Sequence, residues 1–222
     1  MARVSKAEQE KTKALLLKLV KEAADAGMPK DQVARFVQSD YAPLPWQMKY
    51  HNQARLADAD DGPFWIGLGG ARGPGKSHSI MAQSMLDDCQ RVPGLKVLFL
   101  RKVKKSAAES MEDLTRRVLH GIEHTRTADR ISLPNGSRML QGGYNNENDI
   151  DKYLGIEYDE IDIEEATQIS EQKMTLIRGS CRSTIPGWRA RVYMSTNPGG
   201  IGHGWWKKYM IGGRDFLGSK TV

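Results

Sequence analysis

The chain has 222 residues, 39% apolar and 27% charged, and its 33 basic against 27 acidic side chains leave a formal charge of +6. That length and apolar share suffice for the core of one large domain, and a basic balance with a pI near 9.3 suits a polyanionic partner such as DNA without requiring one. No run approaches the roughly 18 apolar residues a spanning helix needs, the start Met1-Ala2-Arg3-Val4-Ser5-Lys6 leads into a charged helix rather than a secretory signal, and two isolated cysteines, Cys89 and Cys181, argue against a disulfide framework or a zinc site. A soluble protein of a reducing, cytosolic compartment is expected.

Ser5-Lys6-Ala7-Glu8 reads as a capping box. It predicts an amphipathic first helix carrying Leu15, Leu16, Leu19, Val20 and Ala23 on one face and stopped by Gly27. Pro29 opens a shorter helix with Val33, Phe36 and Val37, and Pro43-Leu44-Pro45 breaks the chain before a third helix from Trp46 to Leu56. Residues 1–55 are thus expected to form a helical segment packed on a core spanning 56–222.

The apolar run from Phe64 to Leu68 suits a buried strand, and Ser77 to Gln90 reads as a helix. Between them, Gly70-Ala71-Arg72-Gly73-Pro74-Gly75-Lys76-Ser77 satisfies the phosphate-loop pattern G-x-x-x-x-G-K-[ST] in the strand, loop, helix order that the pattern requires. The glycines let backbone N–H groups turn inward around α- and β-phosphates, Lys76 reaches the β- and γ-phosphates, and the Ser77 hydroxyl ligates Mg²⁺. Gly70 through Ser77, with His78 next on the helix, are therefore the candidate nucleotide-binding residues. Arg72 can neutralise charge developing on a transferred phosphoryl group, although a solvated loop arginine is the plainer reading.

A strand at Lys96 to Leu100, a helix from Ser106 to His120, a hairpin and two more strands follow. The hairpin joins Ile131-Ser132-Leu133 to Arg138-Met139-Leu140 through Pro134-Asn135-Gly136-Ser137, where Asn-Gly supplies the turn. The last two strands are Glu160 to Ile163 and Ala190 to Ser195. This alternation predicts an α/β fold with a mainly parallel central sheet flanked by helices. Lys102, Lys104 and Lys105 form a basic run suited equally to phosphates or to solvent. Met81 and Met85 read as core, Trp205 and Trp206 as the start of a terminal helix, and His203 as a loop residue.

A phosphate loop needs a carboxylate to support Mg²⁺ and a group to orient the attacking water, at the end of a neighbouring strand. With Glu160 to Ile163 as that strand, Glu164 falls at the metal-associated position and Glu165 at the water-polarising one. Asp162 is the rival for the metal role, because a one-residue slip of register exchanges the two faces of a strand. Ser195-Thr196-Asn197, at another strand tip, can touch the γ-phosphate or the water, although taken alone it reads as a turn. The chain has no N-K-x-D guanine motif, which favours ATP.

Together these residues resemble the large terminase subunit of tailed bacteriophages, the motor that packages DNA. The resemblance rests on the arginine-bearing phosphate loop, on Gly155-Ile156-Glu157-Tyr158-Asp159 through Ile163-Glu164-Glu165-Ala166-Thr167-Gln168, and on Ser195-Thr196-Asn197-Pro198-Gly199-Gly200. Arg101-Lys102-Val103 and Leu133-Pro134-Asn135-Gly136-Ser137 are also similar, and the likeness spans roughly residues 43 to 210. It implies a RecA-like ATPase core of the additional-strand type, using ATP and Mg²⁺. Such motors work as a ring homo-oligomer on a procapsid portal, with a small terminase subunit, and drive double-stranded DNA inward in the cytoplasm of the infected bacterium. It assigns phosphate and Mg²⁺ binding to Lys76 and Ser77, metal support to Glu164, water activation to Glu165, a finger in cis to Arg72, coupling to Asn197 and adenine recognition to Gln47.

The sequence departs from the family in two places. Full-length members continue into a nuclease domain, so no DNA cleavage is expected from these 222 residues. The segment Asp149-Ile150-Asp151-Lys152-Tyr153-Leu154 holds no arginine, which leaves Arg126, Arg130, Arg138, Arg178 and Arg182 as candidates for a finger in trans. A helicase or repair ATPase with the same core is the alternative enzyme. A nucleotide-binding switch without appreciable hydrolysis is the alternative of another class, and such a switch does not require a carboxylate at Glu165.

Overall fold

A computed structural model describes residues 6–71, 73, 75–102, 107–213 and 221. Its strands are β1 (Trp65–Leu68), β2 (Lys96–Lys102), β3 (Thr125–Arg126), β4 (Arg130–Ser132), β5 (Arg138–Tyr144), β6 (Glu160–Ile163) and β7 (Arg191–Ser195). They form one seven-stranded sheet in the order β1-β7-β6-β2-β5-β4-β3. The first five in that order run parallel, and the β4–β5 hairpin with β3 supplies an antiparallel edge. β7 lies between the phosphate-loop strand β1 and the acid-bearing strand β6, which is the expected additional strand.

Strands covered on both faces read as continuous apolar runs, and Val97-Leu98-Phe99-Leu100 is buried throughout. Successive side chains then alternate between layers. Val97 and Phe99 join one apolar cluster with Ile80, Met81 and Met85, whereas Leu98 and Leu100 join the other with Ile161, Ile163, Trp205 and Trp206.

The helices are α1 (Lys6–Asp25), α2 (Lys30–Gln38), α3 (Pro45–Leu56), α4 (Lys76–Met81), α5 (Cys89–Arg91), α6 (Ala107–Val118), α7 (Glu171–Arg178) and α8 (His203–Trp206). The helix expected over residues 77–90 is present, but between α4 and α5 its turns widen to π geometry over Ala82–Asp88. His203, expected in a loop, is instead the first residue of α8. The first helix keeps only part of its predicted stripe. Leu19 and Ala23 are covered by Met28, Val33 and Phe36, while Leu15 and Val20 are 60% and 44% exposed. Amphipathic periodicity shows which face is apolar, not how far along the helix a partner reaches. Ser5, of the predicted capping box, and Lys104 and Lys105, of the predicted basic run, lie outside the described residues.

A buried polar network, as well as apolar packing, fixes α2 and α3 to the core. Asp87, in the π-helical segment, accepts from Gln32 Nε2 at 2.7 Å, Arg55 Nε at 2.6 Å and Arg35 Nη1 at 3.0 Å. One turn away, Arg91 bridges Asp88 and Asp58 at 2.8 Å each, and Arg191 reaches Asp58 at 2.8 Å. His51 on α3 sits between Tyr41 Oη (3.0 Å) and Gln83 Oε1 (2.8 Å). Burial holds its imidazole pKa down at about 4.

Candidate active site

In parallel α/β sheets, ligands gather outside the carboxyl ends of the strands. The chain leaves β1 at Leu68 and turns through Gly70, Gly73 and Gly75, whose φ angles of 135°, 92° and 89° are ones that L side chains rarely adopt. Gly75 has a second constraint, because a Cβ there would stand 3.2 Å from Gln47 Nε2. Lys76 begins α4 and folds back into the loop, where its Nζ donates to Ala71 O (2.6 Å), Gly70 O (3.1 Å) and Asn197 Oδ1 (3.0 Å). Burial lowers its pKa.

The loop faces the tips of β2, β6 and β7 across a cleft of about 440 Å³. Gly73, Gly75, Lys76, Ser77, His78, Arg101, Lys102, Glu164, Glu165, Ser195, Thr196 and Asn197 line it. Arg72 and Pro74 lie outside the described residues, so the finger in cis has no structural placement.

Of the two rival acids, only Glu164 borders this cleft. Asp162 is fully buried below it and accepts from Ser84 Oγ at 2.6 Å. Glu164 forms an ion pair with Arg101, its Oε2 lying 3.1 Å from Nε. Glu165 adopts φ 52° and ψ 44°, a left-handed conformation unusual outside glycine, where the chain turns into the short 3₁₀ helix Ala166–Gln168. Such backbone outliers cluster at functional sites because the surroundings must enforce them.

That turn is joined to the one after β7. Thr167 Oγ1 meets Thr196 Oγ1 at 2.5 Å, Gly202 N donates to Thr167 O at 2.8 Å, and Trp205 Nε1 donates to Ile169 O at 2.9 Å. The segment carrying Asn197 and the segment carrying Glu165 are therefore held to one another by hydrogen bonds.

Gln47 is buried, and its amide already braces the loop. Oε1 accepts from Leu44 N at 2.7 Å, while Nε2 donates to Ser79 Oγ at 2.8 Å and Gly75 O at 3.4 Å. It also borders a second cleft of about 400 Å³ beside the loop, with Tyr41, His78 and Arg117. Tyr41 and His78 stack there at 5.4 Å.

The sequence model of the phage terminase large subunit family matches residues 65–215. The chain belongs to that family. Its structure is similar to the large terminase from a thermophilic bacteriophage in complex with ADP, at 17% identity and a TM-score of 0.61, over 79% of this chain and 43% of that one. It is also similar to the large terminase ATPase domain of Thermus phage P74-26, at 16% identity and a TM-score of 0.57, over 81% and 73%. Identities this low show the shared fold, a RecA-like core with a mostly parallel sheet. The terminase chain thus spans less than half the length of the first of these relatives. No curated protein matches its sequence.

Reading the terminase sequence alone singles out Lys76, Ser77, Glu164, Glu165 and Asn197, and these meet at one cleft. It leaves unassigned Arg101, which pairs with Glu164, and Tyr41 and Arg117, which line the second cleft. Arg101 had two usable signals, its position at the carboxyl end of a strand and its place in the stretch Arg101-Lys102-Val103 that resembles the family.

Proposed function

We propose that this chain binds ATP with Mg²⁺ at the phosphate loop and hydrolyses it, as the ATPase part of a motor that drives double-stranded DNA into a procapsid. The observation that carries this reading is the convergence of Lys76, Ser77, Glu164, Glu165 and Asn197 on one cleft. The related large terminase of the thermophilic bacteriophage has been solved with ADP and with ATP-γ-S, which supports adenine nucleotide as the ligand here.

The donor set fits Mg²⁺. A serine hydroxyl and a carboxylate are hard oxygen ligands, and a site that supplies few of them leaves room for water and phosphate oxygens. Ser77 and Glu164 would hold the ion, which when bound neutralises charge on the phosphates. Lys76 exchanges its neutral carbonyl partners for phosphate oxygens. Glu165 orients the attacking water and takes its proton, and Asn197, hydrogen-bonded to Lys76, relays the state of the γ-phosphate to the segment that follows β7. Gln47 and the Tyr41–His78 pair flank the place for the base, and Arg72 acts in cis on the transferred phosphoryl group. A ring of such chains on a portal, assembled with a small terminase subunit in the host cytoplasm, completes the reading.

Steady-state ATP hydrolysis by the wild type and by Glu165→Gln, with nucleotide binding measured in parallel across protein concentrations and with double-stranded DNA, tests it. Loss of a general base costs about 10²- to 10⁴-fold in rate. Turnover should fall by at least about 100-fold while affinity stays within about threefold. Tight binding with no turnover in either protein would make the chain a nucleotide-binding module instead.

A further inference from the structure

Three polar pairs join α3 to the helix that follows the phosphate loop, and they recur every four residues on both. Gln47 Nε2 donates to Ser79 Oγ at 2.8 Å, His51 Nδ1 meets Gln83 Oε1 at 2.8 Å, and Arg55 Nε donates to Asp87 at 2.6 Å. Residues four apart on a helix share a face. The two helices therefore run side by side in one direction, with 47 beside 79, 51 beside 83 and 55 beside 87. Five of the six residues are buried, and the Arg55 side chain is only 15% exposed. Gln47 is the rung of this ladder nearest the nucleotide cleft.

At that rung the side chain is committed to the protein itself. As the third residue of α3, Gln47 turns back on the helix start, where Oε1 accepts from Leu44 N at 2.7 Å. Its two amide protons go to Ser79 Oγ and, at 3.4 Å, to Gly75 O. Ser79 Oγ passes its own proton to the same Gly75 carbonyl at 3.0 Å. Gly75 is the glycine at φ 89° that aims Lys76 into the loop, so its carbonyl is where the path of the loop is set. Reading adenine through N6 and N7 takes a free acceptor and a free donor from an amide, and Gln47 has no donor left. We infer that Gln47 is a positioning residue of the phosphate loop, the last rung of a ladder by which α3 fixes Gly75, and that it does not read the base. On the reading of this cleft as an ATP site, on which this depends, the helical segment before the core is part of the apparatus that binds phosphate. The adenine-recognising role that the family resemblance gives Gln47 then falls away.

Binding of tripolyphosphate and of non-hydrolysable ATP and GTP analogues, all with Mg²⁺, separates the two roles in the wild type, Gln47→Ala, Ser79→Ala, the double variant and Lys76→Ala. Tripolyphosphate carries no base. Gln47→Ala should weaken all three ligands by a common factor of about five to ten, the size of one hydrogen bond. The ratio of ATP to GTP affinity should stay within about twofold of the wild-type ratio. Ser79 is fully buried and borders neither cleft, so it can act only through the loop. Ser79→Ala should therefore weaken the same three ligands, and the double variant should lose less than the product of the single losses, because both side chains serve one carbonyl. A shifted ATP-to-GTP ratio would overturn the positioning role and make Gln47 a reader of the base. Unchanged tripolyphosphate affinity, whether or not Tm falls, would overturn it as well. Undiminished binding in Lys76→Ala would overturn the ATP-site reading, and this inference with it. Should Gln47→Ala fail to fold, Gln47→Met keeps the bulk of the side chain without its amide and is read in the same assay.

Discussion

Lys76 is held in the loop by two backbone carbonyls and by Asn197, all neutral acceptors. A hydrogen bond between charged partners is worth more than one to a neutral acceptor, so under the proposed function phosphate oxygens would draw the ammonium away from all three. Lys76→Ala should weaken ATP by about 10- to 100-fold, the equivalent of about 1.5 to 3 kcal/mol for a contact to a charged group. Asn197→Ala removes only one of the three acceptors and should leave affinity within about threefold while turnover falls by about tenfold or more. Equal loss of binding in both variants, read by equilibrium titration, would remove the coupling role from Asn197. The loop was legible from sequence because its chemistry compels the spelling: glycine where φ is positive, lysine for reach, serine for the metal. The Arg101–Glu164 pair was not, since it depends on which strand lies beside which.

Among the elements, the two turns at the strand tips carry most of the mechanical consequence. Gly200 has φ 92°, and a Cβ there would stand 2.3 Å from Thr167 O, a contact with backbone that cannot yield without moving the turn after Glu165. Gly200→Ala should cost about 2 kcal/mol, in the range of overpacking, and lower Tm by about 6 °C for a chain of this size. Its hydrolysis should fall further than its nucleotide affinity. Gly204, in α8, has nothing within 4 Å of an added Cβ, and Gly204→Ala should hold or raise Tm. Similar thermal shifts for the two variants would show that the contact with Thr167 does not constrain the loop. Helix positions were legible here from periodicity and caps. The widening over Ala82–Asp88 was not, because its buried side chains Gln83, Ser84, Asp87 and Asp88 find their partners on α2, α3, β6 and β7.

Across the whole molecule, the sheet buries an acidic patch that no cleft explains. Glu160 and Asp162 are buried on β6, where Asp162 accepts from Ser84 of the π-helical segment, and among the described residues neither Glu160 carboxylate oxygen has a hydrogen-bond partner. Burial, with Asp162 and Asp88 close by, pushes the Glu160 carboxyl well above the usual carboxylate range. Burial does the same to Asp162. A carboxyl whose pKa is raised by folding holds its proton more tightly in the native chain. Between the ordinary carboxylate pKa, roughly 4.3, and the raised value the unfolded state therefore binds fewer protons, and stability falls as pH rises. Glu160→Gln removes the share of this slope that Glu160 contributes. Its Tm should exceed that of the wild type at pH 8 by about 3 °C, as expected for about 1 kcal/mol, and the two Tm curves should converge toward pH 4. Parallel curves across that range would show that Glu160 is not the group responsible.

The sequence by itself determined the α/β alternation, the phosphate loop, the acidic strand end and the polar strand tip, because each is a local pattern in which backbone geometry or ligand chemistry restricts the residue types. Only the tertiary structure decided between Glu164 and Asp162 as the acid on the cleft, since a strand's register is set by its neighbours. It alone placed β7 between β1 and β6, tied the Glu165 turn to the Asn197 segment through Thr167 and Thr196, and left Leu15 and Val20 outside the core. The physical reason is the same in each case. Contacts between residues far apart in the chain depend on how the strands and helices stack, and local spacing carries no record of that order.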